Sequence, residues 1–243
     1  MDLSIRDKLL TINRKFYDQF AASFSATRHH VQPGVRQLIP RMIKSEKILD
    51  IGCGNGTLAR MLAAEGYQGR YIGLDMSEGL LTKAEGLFEN PLSGDYKFFQ
   101  VDLSDPEWHT TLPETSFDWL TCFAVLHHIP SEALRRQTVR NFASIVSKNS
   151  KIAISVWQWH NSLRLSKRVL PWSTVGLKDE DLDEGDVLMD WRTGETIGLR
   201  YVHTFSEEAL SALAESAGFH VIENFYSDGK PGNLALSQLW QLA

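Results

Sequence analysis

Two spacings of apolar residues alternate along this 243-residue chain. Lys47-Ile-Leu-Asp-Ile51, Tyr71-Ile-Gly-Leu-Asp75 and Phe117-Asp-Trp-Leu-Thr-Cys-Phe-Ala-Val125 are short, nearly unbroken apolar runs, the pattern of strands buried on both faces of a sheet. Phe98-Phe-Gln-Val-Asp102 and Ile152-Ala-Ile-Ser-Val-Trp157 read the same way, the latter after a turn at Lys148-Asn-Ser-Lys151. Around these runs the apolar spacing becomes helical. Leu9, Leu10, Ile12, Phe16, Phe20 and Phe24 predict one or two helices, Pro33 opens another to about Ile43, and a third covers Thr57 to Ala64. Ser131 caps a helix carrying Leu134, Val139, Phe142, Ile145 and Val146, and Ser206 caps one ending near Ala217. Phe219–Tyr226 and Leu234–Leu242, joined by the glycine loop Ser227-Asp-Gly-Lys-Pro-Gly-Asn233, predict a closing antiparallel hairpin. Strands alternating with helices imply an α/β layer structure around a mostly parallel sheet. The exception is 158–204, which has no regular spacing and reads as a functional or mobile insertion.

The first strand runs into Gly52-Cys-Gly54-Asn-Gly56 and then a helix start. Such glycines let backbone turn sharply and approach a ligand where a Cβ would collide, and a helix N-terminus adds unpaired N–H groups. The spacing is not the G-x-G-x-x-G of dinucleotide sites, and the acid Asp50 precedes it. The second strand ends in Asp75, 19 residues after Gly56, where doubly wound folds place a carboxylate that accepts ribose hydroxyls. The third ends in Asp102. Any one of these acids alone would read as a helix cap or a solvated loop residue, but three stand in register after three strands.

Asp50-x-Gly52-x-Gly54-x-Gly56 resembles motif I of the class I S-adenosylmethionine (SAM) methyltransferases. The resemblance implies a Rossmann-like class I methyltransferase fold: a seven-stranded, mostly parallel sheet with an antiparallel last strand and helices on both faces. It implies SAM as cofactor and S-adenosyl-L-homocysteine as product. It sets Asp50, Gly52, Cys53, Gly54, Asp75, Met76, Leu103 and Phe123 against the cofactor, with Asp102 at the adenine amino group. SAM is cationic and lacks a pyrophosphate, so acids near the loop favour it over a dinucleotide. Phe16-Tyr-Asp-Gln-Phe20 through Arg28 is similar to a lid segment in several such families, which implies Tyr17 over the cofactor and Arg28 near the acceptor. Packing aromatics and a surface charge are the equal alternative.

Four units follow: an N-terminal helical lid (1–46), a cofactor-binding core (47–157), an insertion on the substrate side (158–204) and a C-terminal helix and hairpin completing the sheet (205–243). Two cysteines imply no disulfide framework, and no apolar run reaches membrane-spanning length, so a cytoplasmic protein away from membranes is expected. Net charge is -5, unevenly spread. Residues 1–47 hold nine Lys/Arg against four acids, and residues 178–195 hold eight acids against Lys178 and Arg192. Solvated faces explain both; the sharper reading is a basic N-terminal face on which a phosphate backbone lies.

His127 and His128 follow the fourth strand, beyond whose carboxyl end ligands bind in open α/β sheets. Neither this pair nor His29-His30 has companions at zinc spacing, so no metal is expected. No Asn/Asp-Pro-Pro-Tyr follows the strand, which argues against transfer to an exocyclic amino group. Tyr17 through Arg28, Val125-x-His127-His128, Val156-Trp157, Val169-Leu-Pro171-Trp172 and Arg200-Tyr201-x-His203-x-Phe205 together resemble the tRNA wobble-uridine methyltransferases, which esterify 5-carboxymethyluridine. This implies tRNA as partner, and in eukaryotic members a small activator protein on an apolar sheet edge. A carboxylate acceptor is already anionic at neutral pH and needs no general base, only placement and orienting cations, for which Arg28, His127, Arg200 and His203 are the candidates. Two other readings share the SAM motifs: a small-molecule O- or C-methyltransferase, and a SAM-binding subunit that no longer catalyses.

Overall fold

The computed structural model describes residues 1–27, 30–88, 94–193 and 196–243. Helix α1 (Leu3–Thr27) is continuous, its stripe of Leu9, Phe16 and Phe20 buried. The predicted helix after Pro33 is two short ones, α2 (Pro33–Arg36) and α3 (Ile39–Met42), because Pro40 cannot donate the hydrogen bond that would join them. Then follow β1 (Lys47–Ile51), α4 (Thr57–Ala64), β2 (Arg70–Asp75), α5 (Glu78–Gly86), β3 (Asp95–Gln100) and β4 (Phe117–Phe123). Helix α6 (Glu132–Ile145) starts at Ser131, whose hydroxyl accepts the Leu134 N–H as predicted. Strand β5 (Val146–Trp157) absorbs the expected turn at 148–151 through a register shift against β4 between Phe117 and Trp119.

The insertion is ordered where described, contrary to its irregular pattern. It contains α7 (Leu163–Ser166) and a three-stranded antiparallel sheet of β6 (Val169–Leu170), β7 (Asp186–Thr193) and β8 (Thr196–His203). Helix α8 (Glu207–Glu215), capped by Ser206, and the hairpin of β9 (Phe219–Ser227) and β10 (Ala235–Leu242) close the chain. The main sheet has the order β3-β2-β1-β4-β5-β10-β9, with β10 antiparallel to both neighbours, so the seven-stranded, mostly parallel expectation holds.

Alternate residues of each central strand enter different cores. Leu49 and Ile51 pack with Phe142, Leu210 and Trp240 on the α6–α8 face, and Ile48 packs with Met42, Leu62 and Tyr71 on the other. A third core joins Leu9 of α1 to Trp172, Leu188 and Tyr201, so the N-terminal helix is docked on the insertion. Asn13 secures that contact: its amide donates to the carbonyls of His128 and Tyr201 at 3.0 and 3.2 Å, and its oxygen accepts the Tyr201 N–H at 2.8 Å. The packing and hydrogen bonds of α1 set it across the ends of the sheet strands, where the glycine turn lies.

Candidate active site

A cavity of about 700 Å³ opens at the carboxyl ends of β1, β2, β4 and β5, within the size range of small-molecule sites. Of the residues expected at a cofactor, Tyr17, Asp50, Gly52, Cys53, Gly54, Asp75, Met76, Asp102, Leu103 and Phe123 all line it. At Gly52, φ is +70° and a Cβ would meet Val125 Cγ2 at 2.2 Å, so both conformation and space demand glycine. Gly54 also has positive φ, but nothing lies within 4 Å of the place a Cβ would take, so backbone there faces open space.

The three acids differ in their commitments. Asp75 accepts the N–H groups of Gly54 and Ser77, each at 2.9 Å and on different oxygens, which leaves each oxygen a lone pair for a ligand hydroxyl. Burial raises its carboxyl above the ordinary value. Asp50 instead accepts hydroxyl hydrogen bonds from Thr121 at 2.6 Å and Tyr71 at 2.5 Å. Its carboxyl is pushed up to about 6 by burial, against those bonds, and it serves the loop as a buried anion behind the glycines. Asp102 accepts the N–H and hydroxyl of Ser104 on one oxygen and pairs with Arg14 of α1 at 2.5 Å on the other. Cys53 and Cys122 are buried free thiols, both raised by burial, which keeps them protonated and inert.

The other end of the cavity is built from the strand-4 loop, β5 and the insertion. His127 is 2% exposed and its Nδ1 accepts the Trp157 N–H at 3.2 Å. The neutral ring therefore carries its proton on Nε2 and is a donor there. The guanidinium of Arg200, 4% exposed, stacks over Trp157 at 4.6 Å, Trp191 at 5.2 Å and Phe16 at 5.5 Å from the ring centres. Trp157 thus stands between His127 and Arg200, touching both.

Two candidates fare differently. His203 is not among the residues lining the cavity: its Nδ1 is 2.7 Å from Asp186, which also accepts the Tyr201 hydroxyl at 2.6 Å. Successive β8 residues point to opposite faces, so His203 and Arg200, three apart, cannot share one. Arg28 lies outside the described residues. Sequence reasoning missed Asn13, Arg14, Arg168, Asp190 and Trp191; Asn13 was readable as an amide within the apolar stripe between Leu9 and Phe16. Of the nine basic residues in 1–47, Arg6, Arg14, Arg41 and Lys47 pair with acids.

A family model described as a methyltransferase domain matches residues 27–224. A tRNA (carboxymethyluridine(34)-5-O)-methyltransferase of Schizosaccharomyces pombe is 27% identical over 86% of this chain and 89% of its own length. A ubiquinone biosynthesis O-methyltransferase of Stutzerimonas stutzeri is 32% identical over 46% of this chain and 45% of its own. Among solved structures, a SAM-dependent methyltransferase of Methanosarcina mazei superposes with a TM-score of 0.64 at 23% identity, covering 88% of this chain and 98% of that one, which shows a common fold.

Proposed function

Because this chain belongs to the methyltransferase domain family, we propose that its cavity brings SAM at the glycine end together with a carboxylate acceptor held by Arg200. The protein is a SAM-dependent methyltransferase. Its residues fit that cofactor: Gly54 opens backbone to the cavity, and Asp75 keeps acceptor capacity for ribose hydroxyls. When bound, SAM supplies an electrophilic methyl group on a sulfonium centre.

The observation that carries the acceptor reading is the aromatic cage around Arg200. Its guanidinium is buried, surrounded by three rings and placed with Trp157 and Trp191 in the lining of the cavity. A planar guanidinium suits bidentate recognition of a carboxylate. His127, donating from Nε2, adds a neutral hydrogen bond beside it. Of the acids lining the cavity beyond the strand tips, Asp190 is held by two arginines and Asp228 accepts the Gly34 N–H at 3.0 Å, so among the described residues this end supplies orienting donors. A carboxylate acceptor, with a reference pKa of about 4, asks for nothing more. Trp157 and Trp191 exclude water from the ion pair and strengthen it.

The acceptor itself is a carboxymethyl-bearing uridine of tRNA in this reading. The relative named for that activity aligns over 86% of the chain, long enough to include part of the insertion that holds Arg200. A small-molecule acceptor shares the cofactor end alone. The test is transfer of labelled methyl from SAM into total tRNA, followed by mild alkali. The expected product releases its label as methanol, and Arg200→Ala lowers transfer at least ~100-fold while donor affinity is retained. Label that persists through alkali removes the ester.

A further inference from the structure

Charge along the cavity is divided. Asp50, Asp75 and Asp102 lie at the strand tips, whereas Arg164, Arg168, Arg192 and Arg200 all come from the insertion and face the acceptor end. Several acids of the insertion are committed to fixed partners. Asp183 pairs with Arg135 and the N-terminal amine, and Asp186 with His203 and Tyr201. Asp190, 2% exposed at its side chain, accepts from Arg168 at 3.2 Å on one oxygen and from Arg192 at 2.7 Å on the other.

That last contact is a built feature. The pairing of Val169 with Met189 carries Arg168 alongside Asp190, and Arg192 reaches back two positions along β7. One buried carboxylate thus fixes two guanidinium groups and leaves a net positive charge. Each guanidinium has five N–H donors, and among the described residues Arg168 and Arg192 use theirs only on Asp190, while Arg164 makes no side-chain hydrogen bond. The side chains of Arg168 and Arg192 are 32% and 57% exposed, so the unused donors reach solvent at the cavity rim.

We infer that Arg164, Arg168 and Arg192 form a phosphate subsite at the mouth of the acceptor end, with Asp190 as its positioning residue. The inference rests on the proposed carboxylate reading for its geometry: the acceptor presents one anion to buried Arg200 and a second, a phosphate, to the rim. Arginine forks bind phosphate oxygens in pairs, and guanidinium groups already fixed by a carboxylate lose less freedom when they do so. The phosphate comes from a polynucleotide backbone or from a phosphorylated small acceptor, and the two leave different signatures.

The full-length protein is titrated with total tRNA across a range of NaCl concentrations, and separately with uridine 5′-monophosphate. Wild type is compared with Arg164→Gln, Arg192→Gln, the double variant and Arg192→Lys, with S-adenosyl-L-homocysteine affinity as the control for folding. The subsite predicts that the double variant loses about tenfold in tRNA affinity and that the dependence of log affinity on log salt flattens by about one to two, while Arg192→Lys loses less. Loss confined to the mononucleotide assigns the phosphate to a small acceptor. If Arg192→Gln releases Asp190 and unfolds the insertion, Arg164→Gln carries the test alone, since its side chain ties nothing together. Unchanged binding of both ligands, or no binding of either by wild type, overturns the subsite. An alkali-stable methyl product would sink the ester and leave this subsite standing, whereas unaffected arginine variants would sink the subsite and leave the ester.

Discussion

Asp50 shows how a single residue can be legible in identity and not in role. Its place before the glycines marks it as part of the loop, yet its oxygens take hydroxyl hydrogen bonds from Tyr71 and Thr121 rather than facing the cavity freely. Burial holds its carboxyl at about 6, above the ordinary 3.8. An acid whose folded value is raised binds more protons in the folded state between those two pH values, so stability falls as pH rises through the window and the loss is complete above it. The difference corresponds to about 3 kcal/mol. Denaturant titrations of wild type and Asp50→Asn should show the wild-type advantage shrinking by about that amount from about pH 4 to about pH 7. A difference that stays flat with pH would assign the titration to another group. His203 is the opposite lesson: its residue type suggested chemistry, but strand alternation turns it away from Arg200 and toward Asp186.

Elements were readable in proportion to how regular their burial is. The central strands β1, β2 and β4, buried on both faces, and the capped helices α6 and α8 stand where the apolar spacing put them. The insertion did not announce its sheet, because β7 and β8 mix buried Leu188 and Tyr201 with ion-paired Asp186 and Asp190 and with caged Arg200. Period-two alternation fails where polar side chains are buried through pairing. The link between α1 and this small sheet was likewise hidden in one residue. Replacing Asn13 by Ala strands the Tyr201 N–H and removes a donor from the carbonyls of His128 and Tyr201, the latter keeping His128 Nδ1 at 3.1 Å, and should destabilise the protein by about 2 kcal/mol in denaturant unfolding. Amide exchange in α1 and β8 should accelerate more than in β1 and β4; uniform acceleration would mean that α1 is not held by this contact.

Over the whole molecule, the insertion that carries Arg200 is separable in the chain. Gln158 donates to the Phe205 carbonyl at 3.0 Å, so the two roots of the insertion touch and a short linker can replace what lies between them. A protein with 159–204 replaced by a glycine-serine turn should retain the main sheet by circular dichroism. It should bind S-adenosyl-L-homocysteine about tenfold more weakly, because α1 loses its seat, and transfer no methyl group at all. Residual transfer to any acceptor would place the reactive cations outside the insertion.

The sequence alone determined the main sheet, its strand-end acids and the cofactor cradle, since each depends on contiguous residues: an apolar run, a glycine turn, an acid after it. Tertiary structure decided the acceptor end. Arg200 acquires its cage from Phe16, Trp157 and Trp191, and Asp190 neutralises charges that lie far apart in the chain, so which cations remain to face a ligand is a property of contacts between distant segments. Charge counted along a chain sums over such pairs, whereas folding spends some of them on each other and leaves the others exposed.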